Sequence, residues 1–136
     1  LPTESIDVMC RLWSGSWPEN RAPAVLALGI AGFDDPRQLY LKPAQTYEAR
    51  VVCYDPDHDP LTFKWDIRPE VEIPKDSYAG GGEKPAVPIP GLIEDGHGAR
   101  IRFATPAAEG AYRLFVQVLD GRGHVGYANV AFCVRP

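Results

Sequence analysis

The chain has 136 residues, room for one ordinary domain but not for two. A hydrophobic content of 45% excludes a disordered chain, and the mild net charge of −4, without a basic stripe, argues against nucleic acid as a partner. No apolar run approaches the roughly 20 residues that a membrane-spanning helix needs, and 13 glycines with 14 prolines favour short strands and turns over long helices.

The first predicted element is a helix over residues 3–14, TESIDVMCRLWS. Ile6, Met9, Cys10 and Trp13 recur at i, i+3, i+4 and i+7, which makes one apolar stripe. Thr3 is placed to cap the start, Glu4 and Asp7 suit the positive end of the helix dipole, Arg11 suits the negative end, and Gly15 can terminate the turn. A helix this short needs its stripe buried against something. Either it docks on the domain that follows or it is the last helix of a preceding domain, and both can hold at once. The docking surface expected in the first case is the outer face of the last strands, where Phe115, Leu119 and Cys133 are apolar at positions that should be polar. Residues 16–23 follow as a polar, proline-containing linker in which Trp17 is either a packing plug or an exposed platform.

Strands begin at Ala24. VLALGI (25–30) alternates loosely, QLYLK (38–42) is short, and 45–54 is a full strand with Tyr47, Ala49, Val51 and Cys53 on one face. The turn Asp55-Pro-Asp-His-Asp-Pro60 leads into 61–68, with Leu61, Phe63, Trp65 and Ile67 inward. Residues 69–98 are rich in proline and glycine, too long for an ordinary connection. Val87, Ile89, Leu92 and Ile93 are its expected tether points, and the Gly80-Gly81-Gly82 tip its least fixed part. Regular alternation resumes over 99–104, 111–120 and 125–134, with Ile101, Phe103, Tyr112, Leu114, Val116, Val118, Ala128, Val130, Phe132 and Val134 inward. Short strands at this spacing, with a Trp on the third long strand, predict an all-β fold: an immunoglobulin-like antiparallel β-sandwich of about seven strands with one short N-terminal helix. The core is expected to stack Trp65, Phe63, Val51, Val116, Leu114, Tyr112, Phe103 and Phe132. Cys10, Cys53 and Cys133 read as three free thiols or as one Cys53–Cys133 bridge plus a free thiol; the strand parity opposes the bridge.

Asp55, Asp57 and Asp59 are the only clustered metal-capable side chains. Oxygen ligands spaced by two can converge on a hard cation such as Ca2+, with backbone carbonyls, Asp120 or water completing the six to eight oxygens it takes. The same residues also make a good turn by local hydrogen bonding, with no ion. Sugar rings stack on exposed aromatics, and the candidates off the inward parity are Trp17, Tyr40, Tyr54, Tyr78 and Tyr127, of which Tyr54 and Tyr78 are the best placed; each also reads as an ordinary surface or packing residue. His58, His97 and His124 sit in turns without the Ser/His/Asp or Cys/His context of a nucleophilic site. The chain therefore reads as non-enzymatic, with no required cofactor.

The residues Asp55-Pro-Asp-His-Asp-Pro-Leu-Thr-Phe-Lys-Trp65-Asp66, followed by Gly110-Ala-Tyr112-Arg-Leu-Phe-Val-Gln-Val-Leu-Asp120-Gly-Arg-Gly123, resemble the PKD-type immunoglobulin-like module. The usual continuation W-D-F-G-D-G is absent here, where Trp65 is followed by Asp-Ile-Arg-Pro-Glu70. The stretch Trp13-Ser-Gly-Ser-Trp-Pro-Glu-Asn-Arg-Ala-Pro23 is similar to the junction between a bacterial glycoside hydrolase catalytic domain and its C-terminal immunoglobulin-like module. This resemblance implies that residues 1–19 are helix and linker at the end of a preceding catalytic domain and that 20–136 are the sandwich. It further implies an extracellular, periplasmic or cell-surface location. The implied role is that of an accessory module of a secreted polysaccharide-degrading enzyme, with the catalytic domain as partner and polysaccharide as a further contact. The alternative is a cell-surface adhesion or protein-contact module with a calcium-stiffened turn. The family contributes no catalytic residues.

Overall fold

A computed structural model describes residues 1–71 and 86–136; Tyr78 and the Gly80-Gly81-Gly82 tip lie outside them. The elements in order are α1 (Glu4–Ser14), β1 (Ala24–Ile30), β2 (Tyr40–Leu41), β3 (Thr46–Tyr54), β4 (Thr62–Pro69), β5 (Ile93–Glu94), β6 (Arg100–Ala104), β7 (Gly110–Leu119) and β8 (Val125–Val134). Four strands form one sheet in the order β1-β3-β6-β5, and four form the other in the order β2-β8-β7-β4. The protein is all-β with one short helix, and the described residues hold eight strands where about seven were expected. The added strand is β5, whose two residues pair Ile93 with Phe103 and Glu94 with Arg102. A segment this short carries no readable alternation. The expectation of purely antiparallel pairing also fails at one place: β2 runs parallel to β8, with Tyr40 opposite Cys133 and Leu41 opposite Val134. No described helix is long and apolar enough to cross a membrane.

Burial of one face imposes a period of two on a strand, and the long strands obey it. Ala49 and Val51 of β3, Ile101 and Phe103 of β6, Leu114, Val116 and Val118 of β7, and Val130, Phe132 and Val134 of β8 are all buried. An aromatic chain crosses from one sheet to the other: Phe33 to Tyr47, Tyr47 to Phe103, Phe103 to Phe132, and Phe132 to Tyr112, with ring centroids 5.8–6.2 Å apart. Trp65 and Phe63 are only half-buried, at the margin of the core rather than in its centre. Trp65 packs against both buried clusters, and its indole Nε1–H donates to the Gly98 carbonyl at 2.9 Å, which pins the loop leading into β6. β1 departs from strict alternation through a bulge between Val25 and Ala27, which leaves Leu26 exposed. Of the expected tethers in the long connection, Ile89, Leu92 and Ile93 pack on the core and the Ile89 N–H donates to the Ile67 carbonyl, whereas Val87 is exposed.

The helix forms where its sequence places it but docks on the opposite principle. Gly15 ends it in the left-handed region (φ 78°) with its N–H on the Arg11 carbonyl, and Thr3 stands at the N-cap without a side-chain capping bond. Ile6, Met9 and Trp13 of the apolar stripe are exposed, Trp13 at 79%, as is Leu12; the one buried residue is Asp7, at 2%. The inward positions are Thr3, Asp7 and Cys10, spaced by about one turn each. Asp7 Oδ2 accepts the buried Ala22 N–H at 2.6 Å, and the Pro2 carbonyl accepts the Val125 N–H at 3.0 Å. The physical reason is that the chain entering β1 must satisfy a buried donor, and a carboxylate one helical turn inside α1 does so. The outer face of the β7–β8 sheet does not receive the helix. There Phe115, Leu119 and Cys133 are half-buried, and the Arg68 guanidinium lies 5.1 Å from the Phe115 ring centre while bonded to Asp66 at 2.6 Å. The three cysteines are free and half-buried, and burial raises the Cys53 thiol above its ordinary pKa.

Tyr112, at the start of β7, donates its hydroxyl to the Ala108 carbonyl at 3.0 Å, tying the strand to the turn before it. Tyr112→Phe removes that donor and leaves the ring in place. The expected loss is about 1 kcal/mol, read as a shift in the urea midpoint with an unchanged slope.

Candidate functional site

The linker between α1 and β1 crosses one end of the sandwich, and two clusters of polar side chains meet it there. The Asp55–Pro60 turn folds back because His58 adopts the left-handed region (φ 63°), which histidine tolerates better than most residues. The His58 N–H then meets the Asp55 carbonyl at 3.1 Å. Asp55 is the centre of the turn and is 5% exposed. Its Oδ1 accepts the N–H groups of Asp57 (2.8 Å) and Asp59 (3.1 Å), and its Oδ2 is buried with no partner. Asp57 Oδ2 reaches across to accept the Arg21 N–H of the linker at 2.6 Å, and Asp59 Oδ2 pairs with Arg122 of the β7–β8 loop at 3.4 Å. Asp55, Asp57 and Asp59 each offer a carboxylate oxygen, and the three lie within 4.8 Å of one another.

A second node sits beside it. Asn20 Nδ2 donates to Asp120 Oδ2 at 2.7 Å and lies 3.0 Å from His124 Nδ1, while Asn20 Oδ1 is buried without a partner. Asp120 Oδ1 accepts the N–H groups of Arg122 (2.8 Å) and His124 (3.0 Å). Burial works to raise the Asp120 pKa, but the hydrogen bonds from Asn20, His124 and Arg122 outweigh it and hold the carboxyl below its ordinary value. Asp120 Oδ1 thus closes the loop, and Oδ2 holds Asn20 of the linker.

The expected aromatic platforms are dispersed. Trp17 is half-exposed, but the Arg21 guanidinium stacks 4.0 Å from its ring centre and covers one face. Tyr54 is exposed at the end of β3, next to the acidic turn, and Tyr78 falls outside the described residues. Tyr40 carries Arg135 at 3.5 Å over its ring. A shallow groove of about 430 Å³ runs along the outer side of β1 and β3, lined by Phe33, Arg50 and Arg100, and its arginines are flanked by Asp34 and Glu48. With charges of both signs along it, the groove presents no consistent preference for an anion.

Sequence reasoning found the three aspartates and missed Arg21 and Arg122, which bond Asp57 and Asp59, and Asn20, which holds the neighbouring Asp120. Asn20 and Arg21 stand in a linker with no periodicity, Arg21 more than thirty residues before the turn it bonds and Asn20 about a hundred before Asp120 and His124, so spacing alone carries no signal of either contact. The sequence matches no protein-family model and no curated protein.

Proposed function

We propose that the protein is a non-catalytic, immunoglobulin-like accessory module that steadies or positions a neighbouring domain, as its resemblance to the modules of secreted polysaccharide-degrading enzymes implies. Three features support the immunoglobulin-like reading. The strand order β1-β3-β6-β5 facing β2-β8-β7-β4 corresponds to the paired orders of that sandwich, with β2 as an added edge strand. Trp65 stands on β4, and the Tyr112 hydroxyl returns to the backbone four residues upstream, the arrangement of a tyrosine corner.

The observation that carries the functional reading is the outward apolar face of α1. Ile6, Met9, Leu12 and Trp13 are exposed together on a helix that is fastened to the sandwich through Asp7. A contiguous apolar patch of this kind marks a contact surface, and its position next to the linker suits a domain adjoining the N-terminal side. A further support is that Trp17 and Tyr54 are exposed near this end, where a polysaccharide chain could touch them.

The test uses the chain as bait against the secreted proteins of its source, with captured partners identified by mass spectrometry. Capture of a polysaccharide hydrolase is expected, and its loss in an Ile6→Ser, Met9→Ser, Trp13→Ser variant whose thermal midpoint matches the parent. Single alanine substitutions at Met9 and Trp13 are expected to change stability by no more than about 0.5 kcal/mol. Capture that ignores the helix face would overturn the reading. Asp7→Ala has the opposite profile: it leaves the Ala22 N–H buried and unpaired, a loss of about 1–3 kcal/mol, seen as faster amide exchange over α1 and the linker.

The second reading is an adhesion or protein-contact module of the same fold. The convergence of Asp55, Asp57 and Asp59 favours it. Sedimentation with insoluble polysaccharide separates the two, since only the first expects retention.

A further inference from the structure

We propose that the Asp55–Asp59 turn binds a divalent cation of the Ca2+ class, and that the bound ion fastens the linker, and with it α1, to the end of the sandwich. Each of the three aspartates spends one oxygen on shaping the loop: Asp55 Oδ1 on two backbone N–H groups, Asp57 Oδ2 on the Arg21 N–H, and Asp59 Oδ2 on Arg122. The remaining oxygens have no hydrogen-bond partner among the described residues.

The decisive one is Asp55 Oδ2, because its residue is 5% exposed and the atom itself is buried without a donor. A carboxylate oxygen withdrawn from water and left unpaired is unfavourable, and a hard cation is the ligand that meets it. The geometry is suitable: Ca2+ holds its oxygens at about 2.3–2.6 Å, so oxygens on opposite sides of one ion stand about 5 Å apart. The three carboxylates offer oxygens within 4.8 Å of one another. The donor set is oxygen only, which suits Ca2+ and not the nitrogen and sulfur preferences of zinc.

Asn20 extends the inference to the linker. Its Nδ2 is committed to Asp120 and His124, and its Oδ1 is a second buried oxygen without a partner. Asn20 directly precedes Arg21, whose N–H already bonds Asp57. An ion in the turn therefore sits where linker and sandwich meet. Arg21 Nε is also buried without an acceptor, and its guanidinium rests on Trp17. A water on Asp55 Oδ2 is the competing occupant that the experiment separates from an ion.

The experiment titrates the EDTA-treated, dialysed chain with CaCl2 alone, read by calorimetry, thermal melting and amide exchange. Half-saturation is expected at about 0.1–1 mM, the range of extracellular modules, with a rise of several degrees in the midpoint and slower exchange over residues 16–23. Asp55→Asn and Asp57→Asn are expected to weaken binding at least tenfold. Asn20→Ala tests the linker's share without altering the turn, and is expected to reduce protection of residues 16–23. A folded parent chain that shows neither heat nor a midpoint shift at 10 mM CaCl2 overturns the site, as does binding undiminished in both aspartate variants. Binding that leaves the linker unprotected overturns the fastening. The helix-face triple variant is expected to bind Ca2+ normally, so failure of the docking reading and failure of this one are distinguishable.

Discussion

Phe103→Ala is expected to destabilise the protein by about 3–5 kcal/mol, the range for removing a large aromatic from a packed interior. Phe103 is fully buried at the centre of the aromatic chain, with Tyr47 on its own sheet 6.2 Å away and Phe132 on the facing sheet 6.1 Å away. It packs against one ring on each sheet, and truncation removes both neighbours' contacts at once. The backbone at position 103 is fixed by pairing to Tyr47 on one side and Ile93 on the other, so it cannot collapse into the space. Against a total stability of about 5–15 kcal/mol for an ordinary domain, this leaves a marginal fold. Thermal unfolding should show the midpoint falling by roughly 10 °C or more. Loss of less than about 1 kcal/mol would mean that the sheets are held together elsewhere.

Gly126→Ala is expected to cost about 1–3 kcal/mol through overpacking, a large effect for one added methyl. A Cβ at this position would stand 2.6 Å from the Pro23 carbonyl oxygen and 3.1 Å from a Val25 methyl. The first contact is with backbone, and Pro23 is itself fully buried between Ala22 and Ala24, so the carbonyl has nowhere to retreat. Gly126 pairs with Val118 in β8 and lies where the linker becomes β1. The strain should therefore appear twice: as a lower denaturation midpoint, and as faster amide exchange over residues 20–27 under conditions where β7 stays protected. A midpoint equal to that of the parent would mean that the crossing is looser than its geometry indicates.

The fold was readable wherever a strand buries one face only. In β3, β6, β7 and β8 the alternation assigns Ala49, Val51, Phe103, Leu114, Val116 and Phe132 to the interior, where they lie. Alternation is silent on β5, since two residues make no period, and it is broken in β1 by the bulge that turns Leu26 outward. The docking face of the helix was misread for a different reason. An apolar stripe shows which face avoids water when a partner is present, but not whether the partner is in the same domain. Asp7, read as a dipole residue, is the anchor because the Ala22 N–H becomes buried only after the linker folds back. The same holds for the site: the aspartates are local and legible, whereas Arg21 joins Asp57, and Asn20 joins Asp120, through a crossing that no spacing rule encodes. The outward Phe115 was likewise faced by a neighbour on its own sheet, the guanidinium of Arg68.

The four margins of the two sheets share a property. β2 and β5 are two residues long, β1 carries a bulge, and β4 has its Ile67 carbonyl occupied by Ile89 from the long connection. Short, kinked or occupied margins give another polypeptide little backbone to extend. Such a unit can be crowded beside copies of itself, or tethered at high local concentration to a larger protein, with little tendency to grow into a shared sheet. Association then has to proceed through side chains, which makes sequence changes on the surface, rather than in the backbone ladder, the means by which its partners would be chosen.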